Sequence, residues 1–245
     1  MFTIKSPLKY FPIQVGDYNL VYNTQLNQFS LLEKNRSWMG YDENTFWQST
    51  EFYVEINQAK GVCITTGLGL GILQAQLCLK KEVSKVIVYE KSNDVVEIFN
   101  EIVKFNDFDT SKLEIGIEDA DTISNQTCNC LFADHFEHES ESHILNVVKN
   151  LSYNNTADLV WYWPAGNHFV KYANKQNRPY DKETYELWKK LVGIKNLPTE
   201  FSENIYGYFA ELERIYTKDA LNGKLRTGVE TSIMRKNLIN HSKKK

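Results

Sequence analysis

The sequence predicts an α/β fold built on a parallel sheet, and three observations carry that prediction. Gly61-Val-Cys-Ile-Thr-Thr-Gly67-Leu-Gly69-Leu-Gly71-Ile-Leu73 runs from an apolar, β-branched strand into three glycines at alternate positions. Val86-Ile-Val-Tyr-Glu90 is a second β-branched strand, separated from the first by a stretch of helical length and closed by a carboxylate. Strand signals then recur at residues 113–117, 128–133 and 157–162, spaced widely enough for crossover helices. The first two strands and the helix between them form a βαβ unit of the nucleotide-binding kind.

Chemistry explains the residue types. Gly67 and Gly69 let the backbone turn tightly and bring its N–H groups against a ligand, and Gly71 lets the following helix pack close to the strand. Glu90, at a strand end, suits the two hydroxyls of a ribose and disfavours a 2′-phosphate. The dinucleotide fingerprint is G-x-G-x-x-G; here the third glycine comes one residue early and Ile72 occupies its expected place, which disfavours NAD or FAD.

The G-x-G-x-G form resembles the first motif of the class I S-adenosylmethionine-dependent methyltransferases. Thr65-Thr-Gly-Leu-Gly-Leu-Gly71 with Val88-Tyr-Glu-Lys-Ser-Asn-Asp-Val-Val96 looks most like the spermidine-synthase-like branch. The resemblance covers about residues 60 to 165. It implies a Rossmann-like class I methyltransferase sheet with helices on both faces, preceded by a small N-terminal β-hairpin region, and S-adenosyl-L-methionine as cofactor. It assigns Thr66, Gly67, Leu68, Gly69, Gly71, Glu90, Lys91, Asp119, Ala120 and Asp134 to cofactor binding.

Three further landmarks follow in the expected order. Leu113-Glu-Ile-Gly-Ile117 alternates as a strand and leads to Glu118-Asp119-Ala120-Asp121, which matches the family's Gly-Asp-Ala step at the adenine amino group, with Glu118 in place of glycine. The alternative at Asp119 is the N-cap of a solvated helix. Cys128-Asn-Cys-Leu-Phe-Ala-Asp134 delivers Asp134 to the C-terminal end of a short strand, the edge where open parallel sheets bind ligands. Aminopropyltransferases bracket this strand with two aspartates; here Asn129 takes the first position and His135-Phe136-Glu137 follows the second. Ala157-Asp-Leu-Val-Trp-Tyr-Trp163-Pro164 is an aromatic fifth strand. Tyr162 and Trp163 either wall an acceptor pocket or, as buried aromatics more commonly do, simply pack. Tyr162-Trp-Pro-Ala165 differs in strand and order from the Asn/Asp-Pro-Pro-aromatic sequence of DNA amino-methyltransferases.

Composition agrees with an enzyme that acts in the cytoplasm. The chain has 245 residues, 42% of them hydrophobic, enough for one elaborated α/β core. A net charge of −3 offers no general attraction to nucleic acid, which is therefore not an expected partner, and no run is long enough to span a membrane. A small-molecule acceptor is expected, and a homodimer is allowed. The cysteines at 63, 78, 128 and 130 read as buried thiols rather than disulfides. Cys128, Cys130, His135 and His138 lack the separated knuckle spacing of a zinc site, so no metal is expected.

The flanks complete the reading. Residues 1–43 form the hairpin region, with short alternating runs at Ile13, Tyr18 and Phe29 broken by Gly16, Asn27 and Gly40; residues 44–245 form the cofactor-binding domain with a C-terminal elaboration. A helix is expected over 44–60. Another, capped by Asp181, is expected to end at Gly193 with Tyr185, Trp188, Leu191 and Val192 toward the core. Residues 166–179 read as a loop or lid, 202–222 as a helix and 227–234 as a last strand.

The expected chemistry is methyl transfer, which needs an acceptor held in line with an activated methyl and, where the acceptor carries a proton, a base to remove it. Asp134 is the candidate for orienting an amine acceptor and His135 for the general base. Aminopropyl transfer from decarboxylated cofactor, or cofactor binding without turnover, remains open at this level.

Overall fold

The computed structural model describes residues 6–24, 28–34, 36–41, 56–136 and 140–198. These divide into two compact units, one up to Ala120 and one from Asp121 onward.

The first unit opens with an antiparallel sheet of four strands in sequential order: β1 (Ile13–Val15), β2 (Tyr18–Asn23), β3 (Gln28–Glu33) and β4 (Arg36–Tyr41). Its inner face is apolar, with Leu20 and Leu31 paired across β2 and β3 and both buried. The expected break at Gly40 does not occur. Gly40 lies inside β4 opposite Ser30, where a Cβ would meet the Gln28 side chain at 2.7 Å, so glycine here relieves crowding between strands rather than ending one.

The βαβ unit follows as read. β5 (Gly61–Thr66), α1 (Ile72–Leu79) and β6 (Val83–Glu90) form a parallel pair joined by a helix, with Cys63 opposite Val86 and Thr66 opposite Tyr89. Near-continuous burial of Cys63, Ile64, Val86 and Val88 is what a strand covered on both faces requires. α2 (Asn93–Phe105) is capped by the Ser92 hydroxyl, which accepts from the Val95 N–H, and buries Val95, Ile98, Phe99 and Ile102 along one stripe. β7 (Leu113–Ile117) pairs in parallel with β6, Val88 facing Ile115. Asp17 N–H, in the turn between β1 and β2, donates to the Asp94 carboxylate at 3.3 Å, and Lys9, ahead of β1, exchanges two hydrogen bonds with Asn106, so the N-terminal segment is tied to both ends of α2.

The second unit holds two more parallel strands, β8 (Thr127–Ala133) and β9 (Thr156–Tyr162), with Cys130 opposite Leu159 and Ala133 opposite Tyr162. α3 (Glu141–Asn154) joins them. α4 (Ala165–Lys175) occupies most of the segment read as a loop or lid. Its Asn and Lys residues form the outer face, while Ala165, Phe169, Val170 and Ala173 recur at helical spacing and are buried; composition masked periodicity there. α5 (Lys182–Val192) begins at the Asp181 cap, 2.8 Å from the Thr184 N–H, and ends at Gly193 in the left-handed region, as expected. Phe169, Tyr185 and Trp188 stack with centroids 5.3–5.8 Å apart. Leu191, placed in the core by the sequence, is instead 70% exposed, because the buried stripe of α5 is carried by Thr184, Tyr185 and Trp188.

Among the described residues both units carry parallel strands alternating with helices, five such strands together. The α/β, Rossmann-like reading with a preceding antiparallel sheet is the observed architecture. Among the described residues no helix is long and apolar enough to cross a membrane. Residues 56–58 are helical, and the rest of the helix expected over 44–60 lies mostly outside the described residues, as do the elements expected at 202–222 and 227–234.

Candidate functional site

β5 ends in the glycine turn, and each glycine there has a physical reason. Gly67, Gly69 and Gly71 all have positive φ, between 52° and 79°. Gly71 caps α1, and a Cβ on it would lie 2.1 Å from the Phe99 ring; the neighbour that demands glycine is thus α2 rather than the adjoining strand. Gly67 N–H donates to the Tyr89 carbonyl at 2.8 Å and Gly71 N–H to the Leu68 carbonyl at 2.8 Å, which closes the turn. The Gly69 N–H has no partner among the described residues.

Glu90 stands behind this turn. Its carboxylate is only 8% exposed; Oε2 accepts from the Leu68 N–H and Oε1 from the Ser92 N–H, both at 2.9 Å. One side chain therefore couples the glycine turn to the start of α2. Gln74, from the first turns of α1, donates to the Gly67 carbonyl at 2.8 Å and to the Thr65 hydroxyl at 3.1 Å, holding the other side. Thr66 and Leu68 are buried within this frame.

The N-terminal sheet reaches the same turn. Leu70 N–H points to the Met39 thioether at 3.2 Å, Tyr10 Oη donates to the Leu70 carbonyl at 3.2 Å, and a Cβ on Gly69 would meet Met39 Sδ at 2.5 Å. Burial drives the Tyr10 hydroxyl far above its ordinary pKa, so it stays neutral while donating to Leu70 and bonding Ser6 Oγ at 2.8 Å. Lys91 lies 5.5 Å from the centroid of the Trp38 ring, and the Trp38 indole N–H donates to Glu33 at 2.9 Å. Sequence reasoning did not find Gln74, Met39 or Trp38. Gln74 left a signal, a polar residue in the apolar opening of a helix; Met39 and Trp38 left none, being ordinary sheet residues.

Beyond β7, Glu118 N–H donates to the Glu90 carbonyl at 3.1 Å, Asp119 is exposed, and Ala120 is buried at the head of a 3-10 turn, Ala120–Thr122. Asp119 is thus followed by one tight turn, not by the solvated helix of the alternative reading.

In the second unit Asp134 follows β8 directly and is half-buried, and desolvation pushes its carboxyl from 3.8 up to about 7. The adjoining His135 holds Asp121: Nε2 and Oδ1 are 2.8 Å apart, and its ring packs on Phe136 with centroids 4.3 Å apart. Tyr162 is fully buried and its hydroxyl bonds to His168 Nδ1 at 3.1 Å, which makes it a packed member of the core rather than the wall of an acceptor pocket. Burial, reinforced by Lys171, lowers His168 to about 4, so this pair is neutral. None of the four cysteines is in a disulfide, and all are buried.

Among solved structures the chain is similar to spermidine synthase from Thermotoga maritima, at 16% identity and a TM-score of 0.45 over 60% of this chain and 53% of that one. It is also similar to the methyltransferase domain of bacterial CtHen1-C, at 16% identity and a TM-score of 0.41 over 60% and 80% of the two chains. A third similar structure is an S-adenosylmethionine-dependent methyltransferase from Clostridium acetobutylicum ATCC 824, at 12% identity and a TM-score of 0.32 over 42% of each chain. The chain spans about half the length of that spermidine synthase. No family model and no curated protein matches it. The described residues form a Rossmann-like α/β fold preceded by an antiparallel sheet.

Each Glu90 oxygen accepts one backbone N–H, and a carboxylate oxygen has a second acceptor position. Gly69, at positive φ, leaves room for the Met39 thioether that a side chain there would displace.

Proposed function

We propose that the chain is an S-adenosylmethionine-dependent methyltransferase acting on a small-molecule acceptor. The observation that carries this reading is the buried Glu90 carboxylate hydrogen-bonded to the Leu68 N–H of a G-x-G-x-G turn. In it, Gly67, Leu68, Gly69 and Glu90 hold the cofactor's nucleoside part, with Thr66, Gly71, Lys91, Asp119 and Ala120 completing the binding set; Asp134 orients the acceptor and His135 removes its proton. When bound, S-adenosylmethionine supplies a methyl group already activated by its sulfonium. The protein's part is then placement and proton removal. Asp134 suits an acceptor role: a carboxyl poised near pH 7 can donate or accept a hydrogen bond within the physiological range.

The test is a transfer screen. The pure chain is incubated with methyl-labelled cofactor and panels of small amines, carboxylic acids and nucleosides. Label appearing in a small acceptor, and reduced by about 10² or more in Asp134→Asn, supports the reading. Binding without label transfer to any panel, or transfer only of an aminopropyl group from the decarboxylated cofactor, overturns it.

A further inference from the structure

Leu191 is left outside the core of the second unit, and a cleft beside it gives that exposure a use. Helices α3, α4 and α5 leave about 490 Å³ between them, a volume that accommodates a small organic ligand. The apolar lining comes from Trp188, which is buried, from Leu145, which is half-buried, and from Leu191, which is 70% exposed. The charged lining is Lys149, Lys171 and Lys175 against the single carboxylate of Glu141. All three lysines are exposed, and among the described residues none of them forms an ion pair.

The charge does not cancel locally. Lys149 reaches the C-terminal end of α5, its Nζ 3.2 Å from where a Cβ on Gly193 would stand, and Lys175 lies in the last turn of α4 with Lys171 one turn before it. A helix C-terminus carries about half a negative charge, so the two helix ends and Glu141 together offset roughly two of the three ammoniums. A net positive cleft remains. We propose that this cleft binds a small organic anion, a carboxylate or phosphate carried on a flat apolar body. The anionic group sits among the ammoniums, whose flexible stems let them turn toward it, and the body lies against Leu145 and Leu191. Contacts to exposed ammoniums are individually weak, so the site works by summed charge together with apolar cover. No residue of the cleft belongs to the glycine turn or to the pair Glu90 and Asp134, so anion binding here is independent of the methyl-transfer reading.

The experiment is titration calorimetry of the full chain with phenyl phosphate at low ionic strength, where exposed charges are least screened. Inorganic phosphate serves as the anion without the ring and benzyl alcohol as the ring without the anion. Saturable one-to-one binding of phenyl phosphate, tighter than either reference compound, is expected. Benzoate run in parallel distinguishes a carboxylate ligand from a phosphate. Lys171→Gln combined with Lys175→Gln removes two charges at exposed positions and should weaken binding about 2- to 30-fold, the product of two solvent-exposed ion contacts. Leu191→Asp sets a carboxylate on the apolar wall and should weaken it as well, while its exposed position leaves the melting temperature unchanged. Absence of saturable binding by either aromatic anion, an affinity that the double lysine variant leaves unchanged, or a reference compound binding as tightly as phenyl phosphate overturns the proposal.

Discussion

Glu90 Oε2 lies 2.9 Å from the Leu68 backbone nitrogen, so the carboxylate that ends β6 is bonded to the centre of the glycine turn that ends β5. Its other oxygen takes the Ser92 N–H. In a nearly buried setting, losing both bonds leaves two backbone donors without partners. Glu90→Ala should therefore lower stability by about 1.5–3 kcal/mol, read by urea or thermal unfolding, since hydrogen bonds to charged groups sit in that range. Unchanged stability would mean that the two N–H groups find water instead.

Gly71 and Phe99 make a second sharp expectation. A Cβ at Gly71 would sit 2.1 Å from the Phe99 ring at a φ of 70°. Gly71→Ala should cost about 2–4 kcal/mol, combining left-handed strain with overpacking. Adding Phe99→Leu should recover part of that cost by relieving the clash while leaving the strain. A double variant no more stable than Gly71→Ala would assign the whole cost to backbone conformation.

The Asp134 carboxyl carries a signed dependence on pH. Its folded-state pKa of about 7 lies above the unfolded 3.8, so the folded state binds the proton more tightly. Its contribution to stability is complete below about pH 4 and is lost as pH rises through 7. Asp134→Asn should therefore melt higher than the unsubstituted protein at pH 8 and gain little at pH 4. Equal melting shifts at both pH values would contradict the raised pKa.

His168 gives the opposite limb. Its folded pKa of about 4 lies below the unfolded 6.5, so the neutral form is the one the fold accepts. Stability is full above about pH 6.5 and falls as pH drops toward 4, where the unfolded chain binds the extra proton. His168→Gln can still pair with the Tyr162 hydroxyl but cannot ionise. Its melting temperature should fall less than that of the unsubstituted protein between pH 7.5 and 4.5, measured by circular dichroism.

Much of this was legible in the chain. Alternate glycines after Val62-Cys-Ile64 and a carboxylate after Val86-Ile-Val88 leave few folds that bury the strands and keep the turn open, and the Asp181 and Gly193 signals bound their helix correctly. What escaped has a common cause. Met39, Gln74 and Asp121 matter through partners 31, 7 and 14 residues away, pairings that no local periodicity encodes. The helix Ala165–Lys175 was hidden because the Asn and Lys residues around it gave the segment a loop-like composition that masked the helical spacing of its buried residues, and Tyr162 turned inward to bond His168 on that helix.

The central claim is that the glycine turn and Glu90 bind the nucleoside part of S-adenosylmethionine. Titration calorimetry with S-adenosylhomocysteine and with NAD, on the unsubstituted protein and on Glu90→Ala, tests it most directly. The account predicts saturable S-adenosylhomocysteine binding, none of NAD, and an affinity roughly 10- to 150-fold weaker in the variant, the loss of one charge-assisted hydrogen-bonding group. Binding of NAD without S-adenosylhomocysteine, or an S-adenosylhomocysteine affinity that Glu90→Ala leaves unchanged, would contradict it.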